Sequence, residues 1–138
     1  MIAAVFGSSR PQPGDPLYAR AQRTGYLLAE HGYTVMTGGY NGVMEAASRG
    51  AKEANGTTIG VTVSLFEKIG ARSGPNSYVD EVVTYDTLSE RVLHLCTHGD
   101  VIVALDGGIG TLADIALTWS LMHSEEVAPR AVVVLWER

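Results

Sequence analysis

The sequence predicts a single-domain α/β protein, a Rossmann-like three-layer α/β/α fold whose mostly parallel sheet of about six strands spans residues 1–138. Three observations carry this reading. Short segments rich in Val, Ile and Thr alternate from end to end with segments whose apolar residues recur at helical spacing. Such alternation implies right-handed βαβ crossovers, which place helices on both faces of a parallel sheet. The length, 138 residues, suits one domain with a substantial core, and no repeat or low-complexity tract divides it.

The elements follow in order. A strand at 2–6 (Ile-Ala-Ala-Val-Phe) opens the chain. A helix over about 17–31 comes next, with Asp15 as N-cap, Pro16 at the first helical position and Gly32 as C-cap. A strand at 34–37 leads to a helix over about 42–54 that ends at Asn55-Gly56. The strand at 57–63 enters a connection, 64–80, that contains Gly70, Gly74 and Pro75 and shows no clear helix. A loop that long in a compact domain marks a functional lid or a disordered flap, here expected to cover the site when ligand binds. A strand at 81–85 and a helix over about 88–98, ended by Gly99, precede the strand at 101–105. The last helix runs from 111 to about 123, with Leu112, Ile115, Ala116, Trp119 and Met122 on one face, the face expected to be buried. The strand at 131–136 is followed by Glu137 and Arg138 without a closing helix and presents an edge that needs covering.

Composition narrows the function classes. Apolar residues make up 46% and charged residues 18%, the balance of a folded globule. No apolar run approaches a membrane span, and Met1–Gly7 lacks the basic n-region of a signal peptide, so no membrane partner and a cytoplasmic location are expected. The single cysteine, Cys96, sits among Leu88, Val92 and Leu95 and reads as core in a reducing compartment. A net charge of −5 without a basic run argues against nucleic acid as a partner. A small anion is still accessible to local dipoles and single arginines.

Three small-residue turns each follow a strand: Gly7-Ser8-Ser9-Arg10, Gly38-Gly39-Tyr40-Asn41-Gly42 and Gly107-Gly108-Ile109-Gly110-Thr111. In a parallel sheet these turns share the carboxyl edge, where open α/β sheets bind ligands. The third is the strongest phosphate site. Its glycines let backbone N–H groups approach an anion, a helix starts there with its positive end toward the ligand, and Thr111 adds a hydroxyl. Glycines also simply make tight turns, but three on one edge favour a ligand.

Other chemistries fit poorly. Gly108-x-Gly110-x-x-Ala113 matches a dinucleotide fingerprint, yet no acidic residue ends a strand about 20 residues on, so NAD is rejected. No P-loop signature exists. His31 and His98 precede glycines at helix ends and read as caps, while His94 and His123 lack metal-ligand spacing, so no metal is expected. Lys52 and Lys68 are the only lysines, and neither follows a strand beside a cofactor cleft. No cofactor is expected.

The segments Gly38-Gly39-Tyr40-Asn41-Gly42-Val43-Met44, Ser89-Glu90-Arg91 and Gly107-Gly108-Ile109-Gly110-Thr111-Leu112-Ala113-Asp114 resemble the Lonely Guy (LOG) family, long mislabelled "lysine decarboxylase". The resemblance runs in order through essentially the whole chain. It implies hydrolysis of the N-glycosidic bond of a purine nucleoside 5′-monophosphate, such as AMP or a cytokinin ribotide, to free base and ribose 5-phosphate. It also implies a homodimer with its sites near the subunit interface. The family's arginine falls on Arg91 and its catalytic glutamate on Asp114. The family's phosphate turn falls on Gly107, Gly108, Gly110 and Thr111; the nucleotide-binding set is completed by Gly7, Ser8 and Ser9 of the first turn and by Gly38, Gly39 and Met44 of the second. Three positions depart from the pattern: Asp114 is one methylene shorter than Glu, Val92 replaces a Lys, and Asp106 replaces the Pro that opens the third turn. These departures feed an alternative, a non-catalytic binder of a nucleotide or phosphorylated cofactor, similar to the molybdenum-cofactor carriers of the superfamily.

Overall fold

A computed structural model describes residues 1–71 and 74–136. The order is β1 (Ile2–Phe6), α1 (Pro16–Glu30), β2 (Thr34–Thr37), α2 (Val43–Glu53), β3 (Thr58–Val63), α3 (Ser64–Lys68), β4 (Glu81–Tyr85), α4 (Leu88–His98), β5 (Val101–Leu105), α5 (Ile109–His123) and β6 (Ala131–Leu135). The strands form one sheet in the order β4-β3-β2-β1-β5-β6, every pair parallel. Alternate residues of the central strands serve opposite faces, the period of two of a β-strand. Val5, Val35, Val103 and Leu105 meet Tyr18 and Ala21 of α1 and Val43, Ala46, Ala47 and Ala51 of α2. Ala4, Phe6, Met36, Ile102 and Ala104 meet Leu95 of α4 and Ile115 of α5.

Strands 1 to 4 march outward in one direction, and the fifth returns to the far side of β1. The crevice at the carboxyl ends of β1 and β5 is therefore the topological switch point, where open α/β sheets bind ligands. The first and third small-residue turns flank it.

Helices α1 and α2 pack through a seam of small residues. A Cβ on Gly25 would fall onto the carbonyl oxygen of Ala47, and one on Gly50 onto that of Gln22, both closer than real Cβ atoms approach. In an exposed helix interior Gly→Ala stabilises by about 1 kcal/mol. Here the sign reverses. Gly25→Ala is expected to destabilise by about 2 kcal/mol, because the seam must open to admit a methyl group. A urea midpoint equal to or above that of the wild type would contradict this packing.

Four sequence expectations change. Asp15 occupies the N-cap position of α1, but its carboxylate accepts from Gln12 N–H at 2.8 Å and makes no cap hydrogen bond. Gly32 lies one residue beyond the C-cap, His31, in the left-handed conformation (φ 89°) that glycine tolerates. The connection 64–80 contains a short helix, α3, and its last part is strapped down: Asn76 donates to the carbonyls of Gly39 and Tyr40, and Asp80 accepts from Lys52 at 2.8 Å. Residues 72 and 73 of that connection, like Glu137 and Arg138, lie outside the described residues. Finally, α5 begins at Ile109 and buries Thr111, Ile115, Thr118 and Leu121, leaving Leu112 and Trp119 60% and 54% exposed. Apolar residues surround this helix, so of the face drawn from periodicity only Ile115 is buried and Met122 partly so.

Candidate functional site

Register builds the site. Phe6 pairs with Ala104, and two residues on Ser8 N–H donates to the carbonyl of Asp106 at 2.8 Å, so the first and third turns run side by side. The second turn joins them through Val43 N–H, which donates to the carbonyl of Ser8 at 2.8 Å. That contact needs Gly42, whose φ is 69° and whose absent Cβ would overlap the Ser8 carbonyl.

A cleft of about 620 Å³ opens at this edge, within the size range of small-molecule sites. One wall comprises Gly7, Ser8 and Ser9 from the first turn and Gly107, Gly108, Gly110 and Thr111 from the third. Gly108 is the N-cap of α5, and the first intrahelical bond there is Leu112 N–H to the Gly108 carbonyl. The preceding N–H groups of the first turn have no intrahelical acceptor, as at every helix start, and the dipole adds positive potential. A Cβ at Gly108 or Gly110 would meet nothing within 4 Å, so both face open space.

Arg91, Asp114 and Met44 line the same cleft. Arg91 lies just inside α4, whose start is set by Thr87: its hydroxyl accepts from Glu90 N–H and donates to the Glu90 carboxylate at 2.7 Å. The guanidinium is then fixed by Nε donating to Val61 O at 2.7 Å and Nη2 donating to Gly38 O at 3.0 Å. It also lies over the rings of Tyr40 and Phe66, at 5.5 and 5.9 Å. A cation so held is pre-organised, although part of its donor capacity is spent on the protein.

Asp114 sits one turn into α5, and burial pushes its carboxyl up from 3.8 to about 6, the nearby Arg91 charge acting in the opposite direction. Desolvation thus outweighs attraction, the signature of a carboxylate in a partly dry cleft.

Two of the expected ligand contacts stand behind the lining of the cleft. Gly38 and Gly39 are not among the residues lining the cleft. A Cβ on Gly38 would collide with the Arg91 guanidinium, and Gly39, with φ 82°, presents its carbonyl to Asn76. These glycines make room for Arg91 and for the strapped connection. The cleft also uses residues that sequence reasoning passed over. Phe66 of α3 and Leu88 of α4 join Met44 and Val92 as an apolar surface suited to a flat base. Phe66 is the one aromatic residue in the first half of the long connection, a signal too weak to single out without the fold.

The discarded candidates are accounted for structurally. Lys52 is ion-paired with Asp80, the His31 ring nitrogen Nδ1 lies 2.7 Å from the carbonyl of Leu27, and Cys96 is buried with its thiol pushed up to about 11 by burial. Among the described residues, no group of three or more His, Cys, Asp or Glu side chains is placed to hold a metal, and no helix is long and apolar enough to cross a membrane.

Known proteins share this architecture. The molybdenum cofactor binding protein of Rippkaea orientalis superposes with a TM-score of 0.77 at 31% identity, covering 99% of this chain and 77% of that one. The molybdenum cofactor carrier protein of Chlamydomonas reinhardtii does so with a TM-score of 0.77 at 32% identity and the same coverage. In sequence, an uncharacterized protein of Archaeoglobus fulgidus is 30% identical over 111 residues, 80% of this chain and 68% of its own length. A Mycobacterium tuberculosis protein named cytokinin riboside 5′-monophosphate phosphoribohydrolase is 29% identical over 118 residues, 85% of this chain. The match spans only 61% of that mycobacterial relative. The family model that describes the SLOG cluster4 family matches residues 1–127, nearly the whole of the sheet and all its turns, and the chain belongs to that family.

Proposed function

We propose that the cleft binds a purine nucleoside 5′-monophosphate and hydrolyses its N-glycosidic bond, releasing free base and ribose 5-phosphate. The observation that carries this is Asp114: a carboxylate with a pKa of about 6, beside a fixed guanidinium, in the same cleft as a glycine turn at a helix start. In this reading the turn 107–111 and Ser8 hold the phosphate, and Met44, Phe66, Leu88 and Val92 receive the base. Water adds to C1′ as the C1′–N bond breaks. The bonding pair leaves with the base, which takes a proton from solvent, and the proton of the attacking water passes to Asp114. The ionised carboxylate also stabilises the oxocarbenium-like transition state. The phosphoribohydrolase name of the mycobacterial relative supports the reaction class. The test is incubation with AMP, GMP, CMP and UMP followed by assay of free base.

A second reading has its own support in the cofactor-binding names of the two structural relatives. There the same turn holds the phosphate of a larger ligand and no bond is cleaved. Release of no base, with retention of the nucleotide or cofactor, distinguishes it from the first.

The protein also acts as a homodimer in this proposal. Ile109, Leu112 and Trp119 are 83%, 60% and 54% exposed along one side of α5, and Leu88 and Leu93 of α4 are 44% and 48% exposed. An apolar surface of this kind, adjoining a cleft that includes Leu88 and Val92, suits a second copy of itself. Leu112→Glu is expected to give a folded monomer, read by sedimentation velocity. A dimer of unchanged affinity would place the interface elsewhere.

A further inference from the structure

We infer that Cys96 is a positioning residue for Asp114: its thiol, donating to the Asp114 backbone carbonyl, fixes the helix that carries the acid against the helix that carries Arg91. This rests on the hydrolase reading above and names a further residue on which the same site depends. The Cys96 Sγ lies 3.3 Å from the Asp114 carbonyl oxygen, and Cys96 and Thr118 are both fully buried. The Thr118 hydroxyl donates to the same oxygen at 2.7 Å, so one carbonyl gathers both groups. Burial pushes the Cys96 thiol up to about 11, which keeps its proton in place as a donor at neutral pH.

The tie matters because little else sets the rotation of α5. The helix starts at Ile109 without a side-chain cap and is apolar on most sides, so burial against the sheet holds it in place without sharply choosing one rotation. Among the described residues, the bond from Cys96 to Asp114 is the one side-chain hydrogen bond that joins α4 to α5. Near its start α4 is anchored to the sheet and the second turn, through Arg91 donating to Val61 O and Gly38 O. A continuous path therefore runs from that anchor along α4 to Cys96, and from Cys96 to the backbone of Asp114. The spacing of guanidinium and carboxylate is set along it. An S–H···O bond is weak in energy, but a small displacement of a reacting carboxylate is enough to slow the chemistry.

The test compares Cys96→Ala and Cys96→Ser, each alone and combined with Asp114→Asn, in release of base from AMP. Ala and Ser have nearly equal volume and give up the same sulfur, so the hydroxyl donor is what separates them. Losing the sulfur removes a single heavy atom from the core, too little to unfold the domain. Cys96→Ala is expected to lower kcat about tenfold with KM unchanged, and Cys96→Ser to recover most of that loss. In the Asp114→Asn background Cys96→Ala should cause no further loss, because its effect passes through the carboxylate. An unchanged kcat in Cys96→Ala, equal loss in the Ala and Ser variants, or a loss that multiplies with that of Asp114→Asn overturns the inference. The Asp114 carboxyl resonance gives a readout that needs no turnover. Arg91 is the charged group that acts on Asp114, and burial raises the carboxyl to about 6. Releasing α5 lets water reach the group, so its titration midpoint should fall toward 3.8 in Cys96→Ala and stay near the wild-type value in Cys96→Ser. An unchanged midpoint in Cys96→Ala also overturns the inference. If wild type releases no base while that midpoint does fall, the hydrolase reading fails and the tie between the helices stands.

Discussion

Asp114→Asn is expected to keep nucleotide affinity within a few-fold of wild type while reducing release of free base by about 10²–10³-fold. Asn retains the shape and some hydrogen bonding but loses both the negative charge and the ability to accept the proton of water. Loss confined to kcat identifies an interaction made in the transition state, whereas a rise in KM alone would assign Asp114 to ground-state binding. The raised pKa supplies a second, independent check. Only the ionised carboxylate works as base, so turnover should rise with pH through about 6 and level off above it. Asp114→Glu, which restores the reach of a glutamate, should raise turnover or leave it unchanged.

The same shift predicts a trade against stability. The carboxyl of Asp114 titrates at about 6 in the folded chain against 3.8 as an unperturbed group, so the folded state binds its proton more tightly. Well below 3.8 the group is protonated in both states and imposes nothing. As pH rises through that window the unfolded chain ionises first, and the fold loses up to about 3 kcal/mol by pH 7. Asp114→Asn should therefore raise Tm at pH 7 and have little effect near pH 3.5. A variant that is inactive and less stable at pH 7 would mean that Asp114 holds the structure instead of serving the cleft.

Gly108→Val is expected to weaken AMP binding by about 100-fold without loss of fold. The backbone there is extended (φ −98°, ψ −151°), and a Cβ added at this position meets no protein atom within 4 Å. It projects into the open cleft beside the N–H groups of α5, where a phosphate would lie. Gly107→Val is a poor substitute, because a Cβ there collides with Thr111 and damage to the fold would mimic loss of binding. Unchanged AMP affinity in a folded Gly108→Val protein would falsify the phosphate site and leave the topology untouched.

Much of this architecture was legible in the chain because its signals are local. The strands of buried Val and Ile, Pro16 at the head of α1 and the glycine turns each act over a few residues, and the switch point follows from strand alternation once handedness is fixed. The three turns could be assigned to one sheet edge for the same reason. Arg91 and Asp114 were legible only through their family pattern, since an Arg and an Asp near helix starts carry no geometry of their own.

What required the tertiary structure was every property that depends on neighbours distant in sequence. Gly38 and Gly39 make room for Arg91 and the strapped connection, a role set by contacts 53 and 37 residues away. The face of α5 against the sheet could not be read from a helix that is apolar all round, because burial there is decided by which side the sheet occupies. Phe66 and Arg10 reach the cleft only because α3 and the first turn fold over it. From sequence came the elements, their order and the edge of the sheet where the candidate cleft lies. The three-dimensional packing alone determined which side chains share the cleft, and burial there, a property of the assembled walls, set the acidity of Asp114.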